Sequence, residues 1–313
     1  MWQRLSAALL AISVTAGAAP SSAQDGVTAL AERSLALVNQ VRAEHGLDPL
    51  SLDPTLTEAA RVHARDMLRN DFFSHVSPDG RDVVDRFTAA GGSHWLAVAE
   101  NIAACRQCAS EPTADDVERF HDGWMDSEGH RETILAPGYD RYGFAIAAAN
   151  GRQYAVQTFA GPGTPRGTDG GLDGGAAGQG EPVTAAAAQD AALDIVNARR
   201  RDRGLDPLAA SETLQQAAER AVGDVANADP QAALSAMPRS ARLQFGEVYA
   251  LVGQCGGCGV EPVRGDVSAF IEDWLRQGGD TRLLSPQAAH LGFALNADGE
   301  GRKAAAAVIG MAR

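Results

Sequence analysis

The chain contains one segment twice. Residues 37–60, LVNQVRAEHGLDPLSLDPTLTEAA, align without a gap to residues 195–218, IVNARRRDRGLDPLAASETLQQAA. They share 12 identities in 24 positions, among them the whole run Gly46–Leu50 against Gly204–Leu208. Further matches keep the same order: Glu100 with Glu247, Cys105 and Cys108 with Cys255 and Cys258, Trp124 with Trp274, and Gly143-Phe144 with Gly292-Phe293. A period of about 150 residues means two tandem domains rather than a solenoid of short repeats. Residues 161–182, GPGTPRGTDGGLDGGAAGQGEP, separate the copies. So much glycine gives maximal chain entropy and nothing to pack, which predicts a flexible linker.

Each copy shows one grammar. In the first, Leu35, Val38, Val41 and Arg42 mark an amphipathic helix that stops at Gly46. A second helix runs from Thr55 to about Arg69, with Leu56, Ala60, His63 and Met67 on one face. A third spans Asp115 to Asp126, opened by Thr113 as N-cap and carrying Val117, Phe120 and Trp124. Two strand-like runs, 142–148 and 153–159, flank Asn150-Gly151, a strong hairpin signal. Helices first and a hairpin last predict an α+β fold, a small antiparallel sheet covered by helices.

The N-terminus reads as an address. A single charge, Arg4, precedes an apolar run from Ala7 to Ala19, and Pro20-Ser21-Ser22-Ala23 supplies small residues for a signal peptidase. Residues 1–23 are therefore expected to be a signal peptide, and the mature chain to be secreted or periplasmic with no transmembrane span. Asp plus Glu total 40 against 27 Lys plus Arg, for a formal charge of −13. Such a balance argues against nucleic acid, which rewards cationic surfaces.

Six of seven histidines lie in the first copy: His45, His63, His75, His94, His121 and His130. The second has only His290, aligned with Arg141. The copies thus share a scaffold but not an imidazole inventory. Three motifs stand out in the first: Phe72-Phe73-Ser74-His75, Ala99-Glu100-Asn101-Ile102, and Trp124-Met125-Asp126-Ser127-Glu128-Gly129-His130-Arg131. With N-x-x-R-x-x-x-G-L-x-P-L and A-x-x-H-x-x-D-M before them, they make residues 30 to 160 resemble the CAP superfamily, the SCP-like extracellular domains, and its bacterial members in particular. The second copy resembles the family through its repeat with the first. The resemblance implies tandem α-β-α sandwiches at 28–160 and 183–313. It also implies a cleft where two histidines, His75 and His130, meet an acid, Glu100. The eukaryotic pattern has a second glutamate where this chain has Ser127, so that four-residue site is incomplete here.

Two imidazoles and a carboxylate suit Zn²⁺ or another divalent cation, which takes nitrogen and oxygen ligands and leaves a position open. The same trio suits a proton relay, or a hydrogen-bonded cluster that pins a loop to the sheet. Asp280 stands at the place of His130, the Phe72–His75 segment has no counterpart, and Glu100 is matched to Glu247. A carboxylate kept without its imidazoles would serve the scaffold. His63 reads as a core histidine or a member of the site, His121 as packed, and His45 and His94 as solvated turn residues. No nucleophile elbow, H-E-x-x-H or phosphate loop occurs. In an exported chain, Cys105/Cys108 and Cys255/Cys258 are expected to form one local disulfide per copy. The leading expectation for function is a ligand-binding module, with lipid-like ligands implied by the resemblance. The alternatives are a metal-dependent hydrolase using His75 and His130, and a structural or interaction protein of the cell envelope.

Overall fold

The computed structural model describes residues 22–164, 181–235, 237–276 and 280–313. The predicted leader up to residue 21 and most of the predicted linker lie outside the described residues.

The first domain runs α1 (Ser22–Glu44), β1 (Ser51–Leu52), α2 (Pro54–Asn70), α3 (Val83–Ala89), β2 (Ala97–Arg106), α4 (Ala114–Asp126), α5 (Glu128–Leu135), β3 (Arg141–Ala149) and β4 (Arg152–Gly161). The second repeats the plan with α6 (Ala185–Asp202), β5 (Ala209–Ala210), α7 (Glu212–Ala221), α8 (Pro230–Ser235), α9 (Arg239–Arg242), β6 (Val248–Cys255), α10 (Arg264–Arg276), α11 (Asp280–Leu283), β7 (Ala288–Ala297) and β8 (Lys303–Met311). The sheets are ordered β1-β3-β4-β2 and β5-β7-β8-β6. Only the two-residue strands pair in parallel.

Local chemistry explains the elements. Asp53 caps α2 by accepting from the Thr55 and Leu56 amides, with Pro54 in the first turn. A capping box between Thr113 and Asp116 opens α4. Asn150 and Gly151 have φ of 53° and 73°, the pair of positive angles that a tight hairpin turn requires. Val38, Phe120, Trp124, Ile134, Phe144 and Phe159 pack one face of the first sheet against α1, α4 and α5. Ala60, Ala64, Met67, Ala145 and Val156 close the other face against α2. That is an α-β-α sandwich, built twice.

Matched residues hold both copies in one shape. Buried Arg42 donates to the carbonyls of Ile134, Ala136 and Tyr139. Arg200 does the same for Leu283, Ser285 and Ala288. Each guanidinium satisfies three carbonyls at the turn before the hairpin, where no secondary structure could. Asp116 and Asp266 are likewise equivalent and buried. Asp116 receives Gln153 at 3.2 Å, and Asp266 the Nζ of fully buried Lys303 at 2.5 Å.

Register corrects one pairing from the sequence. Cys105 lies opposite Gln153 and Cys255 opposite Lys303, which fixes the two sheets in the same frame. Glu100 then lies opposite Thr158, and the equivalent pair is Ala250 with Val308. The counterpart of Glu100 is Ala250, not Glu247. Glu247 sits three residues earlier, at the level of Ala97. An odd shift along a strand moves a side chain to the other face of the sheet. The scaffold role inferred for Glu100 from that match therefore has no support.

The domains touch through the second cysteine loop. The Gly257 amide donates to the Trp95 carbonyl and the Gly259 amide to the Pro162 carbonyl. Gly163 pairs with Cys258 as an isolated bridge, and the Arg302 guanidinium lies 4.3 Å from the Trp95 ring centroid.

Candidate functional site

The site is built along β2, an edge strand of the first sheet. Alternation along that strand sends Glu100 toward α2 and α3 and its neighbour Asn101 toward α5. Glu100 is 8% exposed. One oxygen is 3.0 Å from His75 Nδ1, and both are 2.9 Å from Arg86 Nη2. His63 is fully buried beneath, its Nε2 3.6 Å from the same carboxylate and 3.0 Å from the Ser74 carbonyl.

Arg86 was not among the residues singled out from the sequence. It sits on α3, a two-turn helix opened by a capping box between Asp82 and Asp85. Its neighbour Phe87 anchors that helix in the core against Leu56 and Ala160. The guanidinium reaches past Glu100 to the carbonyls of His75 at 3.0 Å and Arg81 at 2.8 Å. One side chain thus neutralises the buried carboxylate and ties down the loop that carries His75. The one sequence clue was physical: a buried glutamate needs a cation, and a neutral imidazole is not one.

His130 arrives from the other helical layer. Ser127 ends α4 and begins α5, and its Oγ is 2.9 Å from His130 Nδ1. Asn101 donates from β2 to the His130 carbonyl at 3.1 Å and to Gln157 at 3.2 Å. Burial, and then the charge of nearby His75, hold the His130 pKa below the usual imidazole value. Burial outweighs Glu100 at His63 and lowers its pKa as well. Both imidazoles are thus favoured in the neutral form.

The Nδ1 atoms of His75 and His130 face Glu100 and Ser127, so these contacts do not use either Nε2. His75 is the more open, with its side chain 56% exposed. Beside it stand Phe73 and Val76, both exposed apolar residues. Among the described residues no group of three or more His, Cys, Asp or Glu is placed to hold a metal ion. Both oxygens of Glu100 meet Arg86, and one of them also meets His75.

The remaining candidates lie elsewhere. His121 is buried on α4, and His45 and His94 are exposed. The two cysteine pairs are disulfides, each with its Cα atoms 6.1 Å apart. Cys105 and Cys255 are the last or next-to-last residues of strands β2 and β6, not loop residues.

The second domain has none of the cluster. Ala221, Ala250 and Asp280 stand at the places of His63, Glu100 and His130, and the Phe72–His75 segment has no counterpart in the sequence. Its sheet has nevertheless the same strand order. The fold does not require these residues, and they are absent together.

Comparison with known proteins agrees with the fold. Two proteins of Bacillus subtilis strain 168 are similar: an uncharacterized protein YkwD, 36% identical over 123 residues, and an uncharacterized membrane protein YlbC, 34% identical over 125. The matches cover 39% and 40% of this chain but 44% and 32% of those proteins, so the chain spans less than half of either relative. An extracellular protein containing an SCP domain from Bacillus anthracis is similar in structure, with 26% identity, coverage of 45% of this chain and 44% of that one, and a TM-score of 0.36. The model of the cysteine-rich secretory protein family, CAP, matches residues 35–159 and again 193–310. With most of its length matched in two blocks, the chain belongs to the CAP family, as a tandem of two such domains.

Proposed function

We propose that the first domain is the ligand-binding module of an exported protein and that its ligand meets the Nε2 atoms of His75 and His130. The observation that carries this reading is that a second copy with the same fold has Ala221, Ala250 and Asp280 at the places of His63, Glu100 and His130 and lacks the Phe72–His75 segment. Groups dispensable to the fold yet joined by a built network are expected to serve a site. The exposed Phe73 and Val76 beside His75 suit a small molecule with an apolar, lipid-like body. The N-terminal segment, read as a signal peptide, and the two disulfides support export.

The same nitrogens suit a divalent cation such as Zn²⁺, bound through His75 and His130 with other positions left to ligand or water. Glu100 then acts from behind, holding the His75 ring by its Nδ1. Such an ion would supply an electrophilic centre for an anionic headgroup.

Calorimetric titration with ZnCl₂, together with native mass spectrometry of the purified chain, tests the reading. His75→Ala and His130→Ala each lower the Zn²⁺ affinity by about tenfold or more. His75→Ala leaves the melting temperature nearly unchanged, because its side chain is more than half exposed. Protonation removes the nitrogen lone pair, so affinity falls with pH. At His130 the loss comes below the ordinary imidazole range, because its pKa is lowered. Wild-type protein that takes up no Zn²⁺ removes the metal, and protein with neither metal nor co-purifying ligand removes the binding reading.

A further inference from the structure

Among the described residues, the contact between the domains has an unoccupied counterpart in each domain. The contact has a donor and an acceptor. The donor is the Cys255–Cys258 loop, held to the β7–β8 turn by the Cys258 amide on the Gly301 carbonyl at 3.0 Å. The acceptor is the strand-end surface of the first domain around Trp95, Ala97 and Pro162. Gly256 and Gly257 allow the approach, since a Cβ on Gly256 would lie 2.6 Å from the Trp95 carbonyl oxygen and one on Gly257 3.0 Å from Ala97.

The first domain carries the same donor. Its Cys108 amide bonds the Gly151 carbonyl at 3.0 Å, and Gln107 has φ 61° where Gly257 has 63°. Among the described residues the other domain does not cover this loop, and Arg106 and Gln107 at its tip are exposed. The second domain carries the same acceptor. In the frame set by the cysteines, Ala97, Gly161 and Pro162 correspond to Glu247, Met311 and Ala312. Those three residues, with Gly246, Tyr249 and Arg282, line an open cavity of about 370 Å³. Glu247 is exposed there and accepts from the Tyr249 hydroxyl, and Arg282 stacks 4.0 Å from the Tyr249 ring centroid.

The free tip carries Arg106 and Gln107 where the docked tip has two glycines, and the free acceptor is an open cavity that carries the Glu247 carboxylate beside Arg282. We infer that the second-domain cavity receives the Cys105–Cys108 loop of a second copy of this chain, with Arg106 and Gln107 against Glu247. Such a contact is heterologous. It builds a head-to-tail ring if the rotation closes and a filament if it does not.

Sedimentation velocity of the full chain across a concentration series tests this. The expected result is association that grows with concentration and weakens with added salt. Arg106→Glu and Glu247→Arg each lower the association constant by at least about tenfold. The double variant, with the two charges exchanged, recovers most of it. Circular dichroism checks that each variant is folded, and Arg106→Ala with Glu247→Gln provides a milder pair should either reversal fail to fold. A wild-type chain that stays monomeric to roughly 100 μM, or an association indifferent to both single reversals, overturns the inference.

Discussion

At the scale of residues, the site turns on one ion pair. Arg86 and Glu100 have side chains about 1% exposed and meet through both carboxylate oxygens. Removing one member of a buried pair leaves the other charged and without compensation, which costs about 3–5 kcal/mol. Arg86→Met is therefore expected to lower the unfolding free energy by that amount, read as a lower denaturant midpoint, and to loosen the His75 loop. Arg86→Met with Glu100→Leu is expected to recover most of the stability and none of the Zn²⁺ affinity proposed for the wild type. If the single variant unfolds at the wild-type midpoint, the pair is not what holds the loop. His75, Glu100, Ser127 and His130 stood out in the sequence because short motifs surround them. Arg86 did not, since an arginine in an amphipathic stretch ordinarily reads as a solvated residue.

At the scale of elements, the sheet and its covering helix meet at a glycine in each copy. A Cβ on Gly143 would lie 2.3 Å from the Leu56 backbone carbon in α2, and one on Gly292 2.1 Å from that of Leu214 in α7. Backbone cannot yield as a flexible side chain does, so Gly143→Ala must push α2 off the sheet. A loss of about 1–3 kcal/mol is expected, read as a lower melting temperature, and since α2 carries His63 the cleft should weaken with it. A substitution at Gly123, which has open space around it, is the control. Helices α1, α2 and α4 were legible from periodicity and the hairpin from Asn150-Gly151. Strand β2 was not, because AVAENIAACR has one branched residue at each of two positions and alternates weakly, as a half-exposed edge strand does. α3, at seven residues, is too short to show a period.

At the scale of the whole molecule, the second domain is fastened to the segment that leads from α3 into β2, the two elements that hold Arg86 and Glu100. Gly256→Val would place a branched side chain against the Trp95 backbone. It is expected to separate the domains, shift Trp95 emission to the red as the ring leaves Arg302, and enlarge the radius measured by X-ray scattering. Unchanged emission and radius would mean that the contact does not hold the domains in solution. The repeat made two domains evident, but no periodicity distinguishes Cys255-Gly256-Gly257-Cys258 from Cys105-Arg106-Gln107-Cys108 as the loop that docks.

By itself the sequence determined the family, the duplication, the three long helices and the hairpin of the shared plan, and the concentration of histidines in the first copy. These depend on local periodicity, turn chemistry and short motifs, which neighbouring residues encode. Tertiary structure alone decided that Glu100 faces Arg86, that Ala250 and not Glu247 is its counterpart, and which cysteine loop joins the domains. Those outcomes depend on contacts between distant segments and on a strand register in which a shift by an odd number of residues exchanges the two faces of the sheet.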